Sequence, residues 1–302
     1  MINSRVLSYV LLGIFGAGAA AVIVSRSFSA AGTTVSALTG ETHFHGIAVD
    51  PHDPDRLYLA THHGFYVVGP DGVAQRVSET EDDFMGFTLH PADPEVLYAS
   101  GHPAGGGNLG FIVSGDGGHT WMKLSDGAGG PVDFHQMDIS KADPQVIYGI
   151  HGELQKSIDG GRTWSRVGPA PDGVIGLAAS SLDADRLYAA TRTGLMVSTD
   201  GGRRWRPTHD SQQLASMVQV TPEGTVYTFI AGAGLMRSEE LALQWTALGN
   251  DFGGALVLHL AAGKGEETQR RIYVVTLDPE SRSQALYASR DGGQSWTRLG
   301  AT

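Results

Sequence analysis

Ser114-Gly-Asp-Gly-Gly-His-Thr-Trp121 returns as Ser157-Ile-Asp-Gly-Gly-Arg-Thr-Trp164, as Ser198-Thr-Asp-Gly-Gly-Arg-Arg-Trp205 and as Ser289-Arg-Asp-Gly-Gly-Gln-Ser-Trp296. Ser238 to Trp245 keeps both ends and has lost the Gly pair. The starts at 114, 157, 198, 238 and 289 lie 40 to 51 residues apart, and all five Trp of the chain fall in this phrase. The phrase reads as a tight hairpin. Its Asp (Asp116, Asp159, Asp200, Asp291) bonds the backbone of its own turn, and the Gly pair supplies positive φ without steric cost. Ser and Thr hydroxyls satisfy further turn amides. The Trp (Trp121, Trp164, Trp205, Trp296) buries a large ring between repeats. A repeat near 40 residues with strand patterning means one small sheet per repeat, the pattern of a β-propeller.

The remaining sequence keeps the same period. Tyr58, Tyr98, Tyr148, Tyr188, Tyr227 and Tyr273 each close a Leu/Ile/Val-Tyr pair in a β-rich run. Turns such as Asp50-Pro-His-Asp-Pro54 and His90-Pro-Ala-Asp-Pro94 precede most of them and suit strand-to-strand corners. In the first unit, strands A to D are expected near 46–50, 56–61, 64–69 and 74–78, with 69–72 a decayed hairpin phrase. Six such units fit between His43 and Leu299. The expectation is an all-β, six-bladed propeller over 43–302, preceded by one N-terminal hydrophobic helix. Every D strand follows its own blade, so closure between blades one and six should rest on side chains.

Composition suits this architecture. The chain has 42 glycines, no cysteine, and 21 basic against 32 acidic side chains for a net charge of −11. Without a basic patch, nucleic acid is not an expected partner. A domain of this size buries enough surface to stand without disulfides.

Val6 to Val24 carries no charge and is flanked by Arg5 and Arg26. It is long enough to cross a bilayer. Residues 1–26 are therefore expected to be a signal anchor, or else a signal peptide with Ser29-Ala30-Ala31 as small residues for cleavage. Residues 27–42, rich in Ser, Thr, Ala and Gly, are expected to be a flexible linker. Either way the propeller should be extracytoplasmic, membrane-anchored or secreted into the periplasm.

Function should lie on the face opposite the repeated hairpins, which are C–D turns. The lead-ins to strand A read His43-Phe-His-Gly46, Asp83-Phe-Met-Gly86 and Asp133-Phe-His-Gln136, whereas blade four has Gly173-Val-Ile-Gly176. The B–C turns of the same three blades add His62, His63, His102 and His151. Seven of the twelve histidines thus gather on one face of three adjacent blades. Imidazole is the commonest neutral metal ligand, and a nearby thioether suits copper. The expected ligands are His43, His45, His62, His102, His135, His151 and Met85, for copper or zinc. Asp83, Asp133 and His63 are expected as outer supports. Alternation in His43-Phe44-His45 would place both imidazoles on one side, with Phe44 packed away. One channel histidine alone reads as hydrogen-bonded structure; it is the clustering that points to a ligand set. His52, His90, His119 and His209 fall in other turns and read as ordinary.

The repeated phrase resembles the Asp-box, or BNR repeat, of sialidases, sortilin-type receptors, some glucanases and a photosystem assembly factor. With His43-Phe-His-Gly46, Asp83-Phe-Met-Gly-Phe87, Ser100-Gly-His-Pro103 and Asp133-Phe-His135, residues 43 to 299 resemble exported bacterial BNR-repeat proteins labelled glycosyl-hydrolase-like. That resemblance implies a propeller, export and a hydrolase label without a catalytic motif to transfer. Sialidases hold their substrate with three arginines; here only Arg192 and Arg282 reach the relevant face, so sialidase activity is not expected. The leading expectation is binding of a transition metal. The alternatives are glycoside hydrolysis of an extracellular glycan by paired Asp83 and Asp133, and a scaffold for an envelope protein.

Overall fold

A computed structural model describes residues 32–209, 212–249 and 252–301. The apolar stretch 6–24 and the hydrophobic helix expected there lie outside the described residues. Among the described residues no helix is long and apolar enough to cross a membrane.

Six antiparallel sheets follow one another along the chain. Blade one consists of strand A (Phe44–Val49), B (Leu57–Thr61), C (Gly64–Val68) and D (Val73–Arg76). The A strands of blades two to six are Asp83–Leu89, Gln136–Ile139, Val174–Ala179, Ala215–Val220 and Leu256–Ala262. They line a central channel, because a four-stranded sheet tapers and its shortest circumference falls at strand A.

The repeated turn shows why its residues are required. Ser114 Oγ donates to Asp116 at 2.8 Å and accepts the Gly118 amide at 2.9 Å. Asp116 also accepts the Thr120 amide at 2.9 Å, and Trp121 Nε1 donates to the Gly118 carbonyl at 3.0 Å. Equivalent bonds recur around Asp159, Asp200 and Asp291. The second glycine answers to a neighbour in the preceding blade. A Cβ on Gly118 would sit 2.4 Å from the Phe65 ring, and one on Gly161 would sit 2.1 Å from Phe111. Close approach between blades, beyond the turn itself, excludes a side chain there.

Each of the six junctions between blades encloses its own apolar cluster. Trp121 packs on Phe65 of blade one and Phe84 of blade two, and Trp164 packs on Phe111 and Phe134. Phe44, Phe84 and Phe134 are core, as expected. The wedge Trp of each turn therefore joins its blade to the one before.

Blade one has no such Trp, and the junction of blades six and one is completed differently. Thr33–Thr34 pairs with strand D of blade one, and a short helix α1 (Val35–Leu38) follows. Val35 and Leu38 are buried in the closing cluster with Leu286 and Tyr273 of blade six. The described part of the stretch expected as a free linker, 32–42, is thus packed, because those two apolar side chains occupy the place a wedge Trp takes elsewhere. No strand is exchanged between blades one and six among the described residues. Side chains close the ring, as expected. Gln284 Oε1 accepts the Phe44 amide at 2.8 Å, Tyr273 donates to the Pro54 carbonyl at 2.9 Å, and Arg271 Nε lies 3.0 Å from Asp55.

Candidate metal centre

The site begins with an irregularity in strand A. In blade one the ladder passes from Phe44 directly to Gly46, so His45 is the bulged residue. Blades four, five and six bulge at the corresponding place, and blade two bulges at Gly86 and Phe87. A β-bulge re-aims the side chain it carries. It also interrupts the alternation that would have aligned His43 with His45. His43 is exposed and belongs to neither group of converging donors.

Among the described residues two groups of three converge, one at each of two neighbouring junctions. At the junction of blades one and two, Asp83 lies between His62 Nδ1 at 2.8 Å and His45 Nε2 at 3.3 Å. Each imidazole faces a different carboxylate oxygen. At the junction of blades two and three, His102 Nε2 at 3.0 Å and His135 Nε2 at 2.6 Å both meet Oδ2 of Asp133. Within each triad the donor atoms lie within 4.8 Å of one another. One pairing repeats from one junction to the next, while the third member comes from the earlier blade at the first junction (His45) and from the later blade at the second (His135). A B–C turn histidine of one blade meets the aspartate leading into the next. The triads share a backbone, since Asp83 and His102 are direct partners in the ladder of blade two.

The aspartates, expected as outer supports, are instead the centres. Asp83 is 8 % exposed and Asp133 is 5 % exposed. Oδ1 of each, and Nε2 of His45, are buried without a hydrogen-bond partner; the 3.3 Å approach of His45 to Asp83 is not aligned for one. A buried, unpartnered carboxylate oxygen is costly unless something completes its shell.

The electrostatics of the triads differ. Burial pushes the Asp83 carboxyl up, partly opposed by His62 and His102. Burial, with the neighbouring His259, His62, His135 and His43, lowers His45 to about 3. At the second triad, burial alone would raise Asp133, but the His135 hydrogen bond and the charges of His135, His102 and His151 hold it below the usual carboxylate value. The same Asp133 hydrogen bond raises His135. The first triad thus holds a neutral His45 beside a carboxyl pushed up by burial, whereas in the second Asp133 and His135 each favour the other's charged form.

The other expected residues fall outside the triads. His151 Nδ1 lies 3.0 Å from the Asp133 backbone carbonyl, so it braces the loop that carries the aspartate. His63 packs edge-on against His62, with ring centroids 4.9 Å apart. Met85 is buried and pairs with Ser100 in the ladder. His259 escaped the sequence reading because it stands alone in blade six. It lines the channel just beneath the triads with His45 and His135, and burial lowers it to about 4.

No family model matches the sequence, and no curated protein matches it. Similar solved structures include a GH74 xyloglucanase from Xanthomonas campestris (19 % identity, 85 % of this chain and 45 % of that one, TM-score 0.55). A GH74 enzyme from Niastella koreensis (17 %, 85 % and 45 %, TM-score 0.59) is also similar. So is a gluconolactonase from Xanthomonas campestris (14 %, 78 % and 83 %, TM-score 0.57). The chain spans less than half the length of the two GH74 proteins. At these identities the likeness defines the fold class, an all-β six-bladed propeller.

Proposed function

We propose that the protein is an exported Asp-box propeller that binds a divalent transition metal on its His-rich face. The observation that carries this reading is the pair of His2Asp triads, each centred on a buried carboxylate with one oxygen unpartnered. Two imidazoles and a carboxylate are a borderline donor set, suited to zinc and then to copper(II). The case for copper from a thioether weakens, because nothing places Met85 with either triad. Three protein ligands leave a coordination position for water or a small ligand. With the apolar segment 6–24 as a tether, the propeller would handle metal in the envelope or present it to a partner there.

The test is metal analysis of the full chain, purified without a His-tag in lipid nanodiscs and dialysed against zinc or copper. Up to two tightly held ions per chain are expected, lost on His45→Ala/His135→Ala. Metal contents at the level of empty nanodiscs would overturn the reading.

One observation favours glycoside hydrolysis as a second reading. Asp83 and Asp133 are pushed in opposite directions, as an acid and a base would be. Hydrolysis of a glycan panel that survives chelation and disappears in Asp83→Asn would support it.

A further inference from the structure

The channel holds a second chamber at the face opposite the triads, with a volume of about 370 Å³. Between this chamber and the His-lined upper one stands a collar shared by both: Ile47, Phe87, Met137, Leu177, Gln219 and Leu260, one residue per blade. The collar is apolar except for Gln219. Below it the A–B turns frame the mouth. A chamber of this size and lining falls in the range of small-molecule sites.

Three charged side chains are built into its wall, and one of them, Asp50, is 4 % exposed and already engaged by Arg56 at 3.3 Å and by the His52 amide at 2.9 Å. Asp138 is 5 % exposed, and the Lys141 side chain is 8 % exposed. Asp138 is saturated. It accepts the amides of Ile139 at 2.9 Å and Ala179 at 2.8 Å, the Thr88 hydroxyl at 3.1 Å, and the Lys141 ammonium. Lys141 is not saturated. Its ammonium carries three protons. One meets Asp138, and a second reaches the Ala179 carbonyl only at 3.5 Å. The spare capacity of the pair is therefore a cationic donor lining the chamber below the apolar collar. Lys264 adds an exposed cation at the rim. Glu223 on the same rim is exposed, where water and salt screen it; Lys141 is buried, where its charge is felt more strongly.

We propose that this lower chamber binds a small amphipathic carboxylate, with its apolar body against the collar and its carboxylate on Lys141. The inference is independent of whether the triads hold metal.

The test is calorimetric titration of the full chain in lipid nanodiscs, with empty nanodiscs as the blank. The probes are naphthalene-2-carboxylate, neutral 2-naphthylmethanol and cationic 2-naphthylmethylammonium. The carboxylate is expected to bind one per chain, at least tenfold more tightly than either analogue. Lys141→Met keeps the apolar stem and should weaken the carboxylate at least tenfold, bringing it level with the alcohol. Ala92→Trp, on an exposed turn lining the chamber, should block all three probes without lowering the melting temperature, and decides the matter if Lys141→Met fails to fold. The proposal falls if no carboxylate binding is detected, if the analogues bind equally well, or if a folded variant leaves carboxylate affinity unchanged.

Discussion

The two triads occupy equivalent junctions of one ring, yet they are electrostatically unlike. At blades one and two, His45 sits on a bulge deep in the channel and faces an oxygen it does not hydrogen-bond. At blades two and three, His135 is half exposed and shares one carboxylate oxygen with His102. The same residue types thus leave His45 neutral in one place and favour a charged imidazole against a carboxylate in the other. Burial depth separates them, because desolvation penalises the charged imidazole at His45 while the Asp133 contact favours it at His135.

The strongest way to break the comparison is to remove one triad at a time. Asp83→Asn/His62→Ala should lower zinc affinity at the first junction by roughly 100-fold or more, with one ion per chain remaining. His102→Ala/Asp133→Asn should do the converse. If either double variant loses both ions, the triads are one site. Gly101→Ala tests their shared backbone. Gly101 has φ +125°, and a Cβ there would lie 1.9 Å from the Asp83 carbonyl. Stability should fall by roughly 3 kcal/mol in chemical denaturation, and both zinc affinities should drop together.

Proton binding in the metal-free protein sharpens the contrast further. His45 is lowered to about 3 from 6.5, so its contribution to stability is lost as the pH falls through that interval. His135 is raised, so its contribution is complete below 6.5 and lost as the pH rises through its folded value. Asp133 is lowered from 3.8, so its contribution is present above that value and lost on acidification through its folded value. The second triad is therefore most stabilising where His135 is charged and Asp133 ionised. Ring NMR between about pH 4 and 6 should show His135 protonated and His45 neutral. A His45 titration near 6.5 would remove the distinction.

The smallest effects should come from the histidines outside the triads. His151→Ala removes a bond to the Asp133 backbone and should cost about 1 kcal/mol in thermal unfolding, with a few-fold loss of zinc at the second triad alone. His43→Ala should leave both zinc affinities unchanged by titration; a tenfold loss would return His43 to the ligand set.

Much of this was legible in the chain. The hairpin phrase repeats its bonds in four turns, since Ser, Asp, Gly and Trp act on neighbours within eight residues. Gathering of imidazoles on three blades followed from their place in each repeat. His43 was misplaced because alternation holds only for an unbulged strand. Asp83 and Asp133 were underrated because their distance from each imidazole is set by contacts between blades.

Blade count, hairpin chemistry and the face bearing the histidines were determined by sequence alone, because each depends on residues close together in the chain. The pairing of His62 with Asp83 and of His102 with Asp133, the arrival of His259 beneath them, and the use of α1 as the closing wedge were decided by tertiary structure. These depend on the bulge in strand A and on how blades dock, which set distances between residues far apart in sequence.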